Sequence, residues 1–176
     1  YHATLQNLAQ LVVPRLADWC SVDLLGEGGE LERVSIYHTE PAQVAVVDEI
    51  TRGYAPRSNE QCGARWVAMS GQSEWVAEIT DDMRRVVSQS EEHLALLRRI
   101  AVCSYICVPL IARGVSIGAF TLCYAESGRR YRPADVALAK DLARRAAAAV
   151  DNARLHQQLR TEDRRKDEFL ATLAHE

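Results

Sequence analysis

Apolar positions along the chain change period several times, and each change marks an element. Leu5, Leu8, Val12 and Leu16 recur at steps of three and four, the spacing of an amphipathic helix that ends or kinks at Pro14. Trp19 to Leu25 and Leu31 to His38 have strand length and are joined by Gly26-Glu-Gly-Gly29, a hairpin signal. Pro41 opens a helix with Val44, Val47 and Ile50 on its apolar side, ending near Gly53. From Ala55 to Gly71 the pattern breaks at Pro56, Ser58, Asn59 and Gly63, leaving one short helical turn around Trp66 and Met69. A short strand is expected around Trp75 and Val76. Thr80 and Ser90 each precede two acidic residues, so each starts a helix. The second of these buries Leu94, Leu97 and Ile100.

Cys103 to Ala112 and Val115 to Ala125 are the clearest strands, joined at Arg113-Gly114. A two-residue turn there sets Ala112 opposite Val115, Cys107 opposite Phe120 and Ser104 opposite Cys123. One face would then carry Tyr105, Cys107, Pro109, Phe120 and Tyr124. The other would carry Ile106, Val108, Leu110, Ile117, Ala119 and Cys123. After Pro133 no Gly or Pro interrupts the chain, so one helix of roughly 40 residues, about 60 Å long, is expected. Strands paired through short turns, with helices between them, point to an α+β domain with an antiparallel sheet. The terminal helices would share one face of the sheet, with Ala139, Ala143, Ala146 and Ala147 lying close to it. A lid of irregular chain would cover the other face.

Composition narrows the function classes. Hydrophobic residues make up 48% of the 176, enough for a full core, and the net charge of −3 is spread along the chain. That leaves no basic footprint for nucleic acid and no polybasic membrane patch. The five cysteines are odd in number, contain no C-x-x-C pair and sit mostly in apolar runs, which suits a reducing cytoplasm. Cys103 and Cys107 would be about 13 Å apart on a strand, too far for one disulfide or one metal ion. No P-loop, dinucleotide fingerprint or nucleophile elbow occurs. The chain begins at Tyr1 and its last residue, Glu176, interrupts a helical pattern, so it reads as a piece of a longer protein.

The strings Ser104-Tyr-Ile-Cys-Val-Pro-Leu110, Arg113-Gly114 and Val115-Ser-Ile-Gly-Ala-Phe-Thr-Leu122 resemble the late strand, turn and strand of GAF domains. The helix Asp135 to Leu155 is similar to that family's last helix. The resemblance covers residues 1–155 and implies a small-molecule sensor. Its pocket is expected from Trp66, Trp75, Tyr105, Cys107, Phe120 and Tyr124, the alternative being a closed aromatic core with no ligand, in a module that serves mainly to dimerise. Haem-binding and chromophore-binding GAF sensors are further alternatives. His93 is the candidate haem ligand, but it sits beside Glu91 and Glu92 on a helix and reads as surface. No Cys-His pair matches a covalent bilin site, and the cyclic-nucleotide signature has no counterpart as a string. No metal site is expected.

Residues Lys166-Asp-Glu-Phe-Leu-Ala-Thr-Leu-Ala-His-Glu176 resemble the start of the dimerisation and phosphotransfer region of sensor histidine kinases. That resemblance makes His175 the phospho-acceptor and Glu176 the adjacent acid, with residues 156–176 a coiled-coil linker leading into that region. It implies a parent kinase using ATP and Mg, a catalytic domain elsewhere in that chain, a response regulator and a homodimer. The dimer would form through the first and last helices. Leu155, Leu159, Glu162, Lys166, Phe169 and Leu173 form a seam that is apolar at both ends. At about 100° per residue, His175 lies about 200° from Leu173 and so points away from that seam. A neutral imidazole there could attack a γ-phosphate while a carboxylate takes its other proton.

Overall fold

The computed structural model describes residues 2–26, 28–54 and 61–173. The chain runs α1 (His2–Val12), β1 (Trp19–Leu25), β2 (Leu31–His38), α2 (Pro41–Gly53), α3 (Gly63–Ser70), β3 (Glu74–Val76), α4 (Asp81–Val87), α5 (Glu91–Arg99), β4 (Ser104–Ala112), β5 (Val115–Tyr124) and α6 (Pro133–Leu173). The five strands form one sheet in the order β2-β1-β5-β4-β3, and every neighbouring pair is antiparallel. The α+β expectation holds, and α6 is one helix of 41 residues. No described helix is long and apolar enough to cross a membrane.

Local chemistry fixes the element ends. The Thr80 hydroxyl accepts from the Met83 amide at 3.2 Å, and the Ser90 hydroxyl from the His93 amide at 3.1 Å. Both satisfy N–H groups that a helix start leaves orphaned. Between β4 and β5, Arg113 and Gly114 take φ of 51° and 80°, the two positive values that a two-residue type I′ hairpin requires. The region around Trp66 is more regular than its sequence suggests. It forms the eight-residue helix α3, ended by Gly71 in the left-handed conformation at φ 68°.

The main core lies between the sheet and the two terminal helices. Leu5, Ala9 and Val12 of α1 and Ala139, Ala143, Ala146, Ala147 and Val150 of α6 cluster with Ile106, Val108, Leu110, Phe120 and Leu122. Small residues on α6 let its backbone come close to the sheet, so the alanine stripe acts as expected. The opposite face is covered by α3, whose Val67 and Ala68 pack on Cys107 and Ala119.

The register of β4 against β5 departs from expectation. Ala112 does pair with Val115, but an irregularity between Leu110 and Ile111 shifts the pairing. Cys107 then faces Thr121, Val108 faces Phe120 and Ser104 faces Tyr124. A one-residue slip moves every later side chain of that strand to the other face. Phe120 and Tyr124 therefore lie in the core beneath α1 and α6, and Ala119 and Cys123 lie on the lid face.

Candidate functional site: the lid face of the sheet

Residues directly opposite each other in antiparallel strands share a face, so the pairings trace rows across the sheet. One row under the lid runs Ser21, Thr121, Cys107, Glu74. A neighbouring row contains Arg33, Asp23, Ala119 and Pro109. Polar side chains thus occupy the inner face of four strands, β1, β2, β3 and β5, where a purely structural sheet would carry aliphatic ones.

Each of these groups is tied to another. The Asp23 carboxylate, only 3% exposed, accepts from Arg33 Nε at 2.8 Å and from the Ser21 hydroxyl at 3.2 Å. Arg33 Nη1 continues to the Thr51 hydroxyl at 2.7 Å and so ties the row to α2. Burial pushes the Asp23 carboxyl above its ordinary range, and the attraction of Arg33 pulls against it without winning. Glu74 Oε2 accepts from the Gly63 amide at 2.7 Å, closing the open start of α3, which has no side-chain cap of its own. Tyr105 lies on the same face of the sheet as Glu74 and Cys107, with its hydroxyl near the Glu74 carboxylate. Burial first, and the Glu74 carboxylate second, hold that hydroxyl protonated well above its usual range.

Three of the six residues expected to form a pocket come together, Trp66 from α3 against Tyr105 and Cys107 of the sheet. Phe120 and Tyr124 are on the other face through the register shift. Trp75 is opposite Ile106, and its ring Nε1 donates to the Tyr131 carbonyl at 3.3 Å, so it belongs to the α6 side of the sheet. The expected catalytic pair, His175 and Glu176, lies outside the described residues.

A groove of about 520 Å³ opens between α2 and α5, lined by Glu49, Gly53, Tyr54, Glu92, Ala95, Leu96 and Arg99. None of the six expected residues lines it. His93, read from sequence as surface, is buried, with its ring stacked on Tyr54 at 4.1 Å and 5°. Its Nδ1 accepts from the Gln89 amide at 3.1 Å. The stacking partner lies 39 positions away, which is why the helix pattern alone points the wrong way. Among the described residues no three His, Cys, Asp or Glu side chains converge to hold a metal ion.

Sequence reasoning overlooked Asp23, Arg33 and Glu74. The available signal was Ser21 and Asp23 alternating with Cys20, Val22 and Leu24 in β1. That alternation reads as an outer face until both sides of the strand prove covered.

Three of the five cysteines, Cys20, Cys107 and Cys123, are buried thiols, and Cys62 and Cys103 are half-buried. Burial pushes Cys20 and Cys107 up to about 12, and Cys123 well above its ordinary value. A thiolate is the reactive form, so alkylation of native protein at pH 8 should spare these three. After denaturation all five should label. Rapid native labelling of Cys107, located by peptide mass spectrometry, would show that α3 does not cover it.

Comparison with known proteins places this arrangement. The GAF domain profile matches residues 1–150. No curated protein sequence matches the chain. Among solved structures, GAF3 from Slr1393 of Synechocystis sp. PCC6803, in its photoproduct state, is 14% identical with a TM-score of 0.63, covering 90% of this chain and 99% of that one. A domain of a protein named as a two-component sensor histidine kinase from Sinorhizobium meliloti 1021 is 18% identical with a TM-score of 0.61, covering 91% and 97%. The GAF-B domain of DevS from Mycobacterium smegmatis is 14% identical with a TM-score of 0.61, covering 90% and 99%. At these identities the neighbours speak to fold, and fold agrees with the profile: the chain belongs to the GAF domain family.

Proposed function

We propose that the chain is the signal-input domain of a two-component sensor histidine kinase. Residues 1–155 sense a small molecule or partner, and residues 156–176 lead as a coiled coil to the phospho-acceptor His175, with Glu176 as the adjacent acid. The observation that carries this reading is α6. It packs on the sheet through Ala139 to Val150 and continues without a break to Leu173, inside the kinase-like string that begins at Lys166. The likeness to the Sinorhizobium meliloti domain supports the same reading.

The protein acts as a homodimer through α1 and α6, where Leu11, Leu138 and Leu159 are exposed apolar residues on the two helices. Its ligand seats on the lid face near Trp66, Tyr105 and Cys107. ATP and Mg bind the catalytic domain of the cytoplasmic parent chain, and a response regulator takes the phosphate.

The test uses the chain with Mg-ATP, with and without a histidine-kinase catalytic domain supplied in trans. Acid-labile phosphate should form only with that domain present, and His175→Gln should abolish it. Labelling of the chain alone, or labelling that survives His175→Gln, would overturn the reading. A second reading, chromophore sensing, draws on the fold shared with the cyanobacteriochrome TePixJ GAF domain. An absorption band in the visible from the purified protein would favour it.

A further inference from the structure

β3 is three residues long and lies at the edge of the sheet, yet its bonds reach both layers. Glu74 points to the lid, where its carboxylate holds the Gly63 amide at 2.7 Å. Trp75 points to the opposite side and donates to the Tyr131 carbonyl at 3.3 Å. The Val76 carbonyl accepts from the Ser104 hydroxyl at 2.9 Å, and that hydroxyl oxygen accepts from the buried Tyr131 amide at 3.1 Å. Both backbone groups of Tyr131 are thus fixed from β3, one directly and one through Ser104.

Tyr131 stands two residues before Pro133, the first residue of α6. Its ring stacks on Tyr124 at 4.1 Å, and its hydroxyl donates to the Leu16 carbonyl at 2.8 Å, next to the start of β1. Immediately after it, the Arg132 amide donates to Asp135 Oδ2 at 2.7 Å and the Asp135 amide to the Arg132 carbonyl at 2.9 Å, setting the first turn of α6. The root of the long helix is therefore held by a strand whose other anchor is the lid.

We propose that β3 is the connection between the lid and the root of α6, with Glu74 and Trp75 as its positioning residues. Three residues span only about 10 Å at 3.3 Å per residue. A displacement at Glu74 is thus felt at Trp75 and Val76 rather than absorbed between them. Whatever loosens the start of α3 from Glu74 loosens the hold on Tyr131. The β3 inference concerns the head alone and is independent of whether His175 accepts phosphate.

Residue-resolved amide hydrogen exchange on the full chain tests it. Glu74→Ala should speed exchange of the Gly63 and Tyr131 amides together, each by about tenfold, the effect of losing one buried hydrogen bond. Glu74→Gln, which keeps an acceptor, should restore both. Trp75→Phe should speed Tyr131 and Asp135 and leave Gly63 unchanged. Val46→Ala, at a buried position of α2, which packs on β2 and α5, reports the uniform change that destabilisation alone produces. If Glu74→Ala speeds Gly63 but leaves Tyr131 no faster than in Val46→Ala, β3 is not the connection. Should Glu74→Ala fail to fold, Glu74→Asp keeps the charge but draws the carboxylate back from the Gly63 amide. A Tyr131 amide unchanged in that variant, relative to Val46→Ala, overturns the proposal equally.

Discussion

Gly118→Ala should cost more than about 4 kcal/mol, a large share of the 5–15 kcal/mol that holds an ordinary domain together. Gly118 lies in β5 between Leu24 of β1 and Leu110 of β4, at the centre of the sheet. A methyl group there would be driven into the Asp23 carbonyl oxygen and would stand 2.9 Å from Leu24 Cα. Both obstacles are backbone, and β1 is itself held between β2 and β5, so no rotamer change relieves them. The same position is where the β4–β5 pairing slips. Gly118 therefore allows the close approach of β1 and stands beside the irregularity that decides which side chains face the lid. Gly53→Ala is the matched control. It sits at the end of α2 with open space around it, and should change stability by less than about 1 kcal/mol. Urea or thermal unfolding followed by circular dichroism reads both. A Gly118→Ala protein melting within about 2 °C of the parent would contradict the packing described.

Asp18→Ala should cost about 3 kcal/mol, because it strips one buried acceptor from several donors at once. Asp18 Oδ2 accepts from the Ala125 amide at 2.7 Å, the Ser127 amide at 3.0 Å and the Ser127 hydroxyl at 2.7 Å. Arg129 approaches the other oxygen at 3.4 Å, donates to the Pro14 and Arg15 carbonyls and lies over the Tyr124 ring. The carboxylate thus fastens the α1–β1 connection to the segment that leads into α6. Burial alone would raise its pKa, but the bonds from Ala125, Ser127 and Arg129 together outweigh burial and leave it below the ordinary 3.8. A depressed carboxyl contributes stability that is present above its unfolded value and disappears as pH falls through the folded one. The stability gap between the parent and Asp18→Asn should therefore be constant near neutrality and narrow below about pH 4. Asp23 acts in the opposite sense. Its raised value favours the folded state most below 3.8 and less as pH rises through the folded value. A gap that widens in acid would show that the Asp18 carboxylate is not held by these donors.

Much of this fold could be read from the chain because its signals are local. Thr80 and Ser90 act as caps, Pro133 opens the long helix, and Arg113-Gly114 makes the two-residue turn; each depends on neighbours within a few positions. The lid-face chemistry was less legible for a physical reason. An irregularity at Leu110 and Ile111 leaves the pattern of apolar residues in β5 almost unchanged, because Ala119, Phe120, Leu122 and Cys123 can be buried on either face. Strict alternation from the turn therefore placed Phe120 and Tyr124 wrongly, and the partners of Cys107 and Tyr105 with them. His93 and Glu74 escaped for a related reason. Each is defined by a partner brought in from another element, Tyr54 or Gly63, and no periodicity records that.

The length of α6 has a mechanical consequence. Among the described residues its last one in the main core is Val150, and Leu173 stands 23 positions further, about 35 Å along the axis at 1.5 Å per residue. A tilt of about 5° pivoting at Val150 would carry Leu173 sideways by about 3 Å, close to the rise of two helical residues. The helix is thus a lever with a short arm packed in the main core and a long one beyond it. Displacements at its root too small to break a single hydrogen bond become, at its far end, the size of an atomic contact.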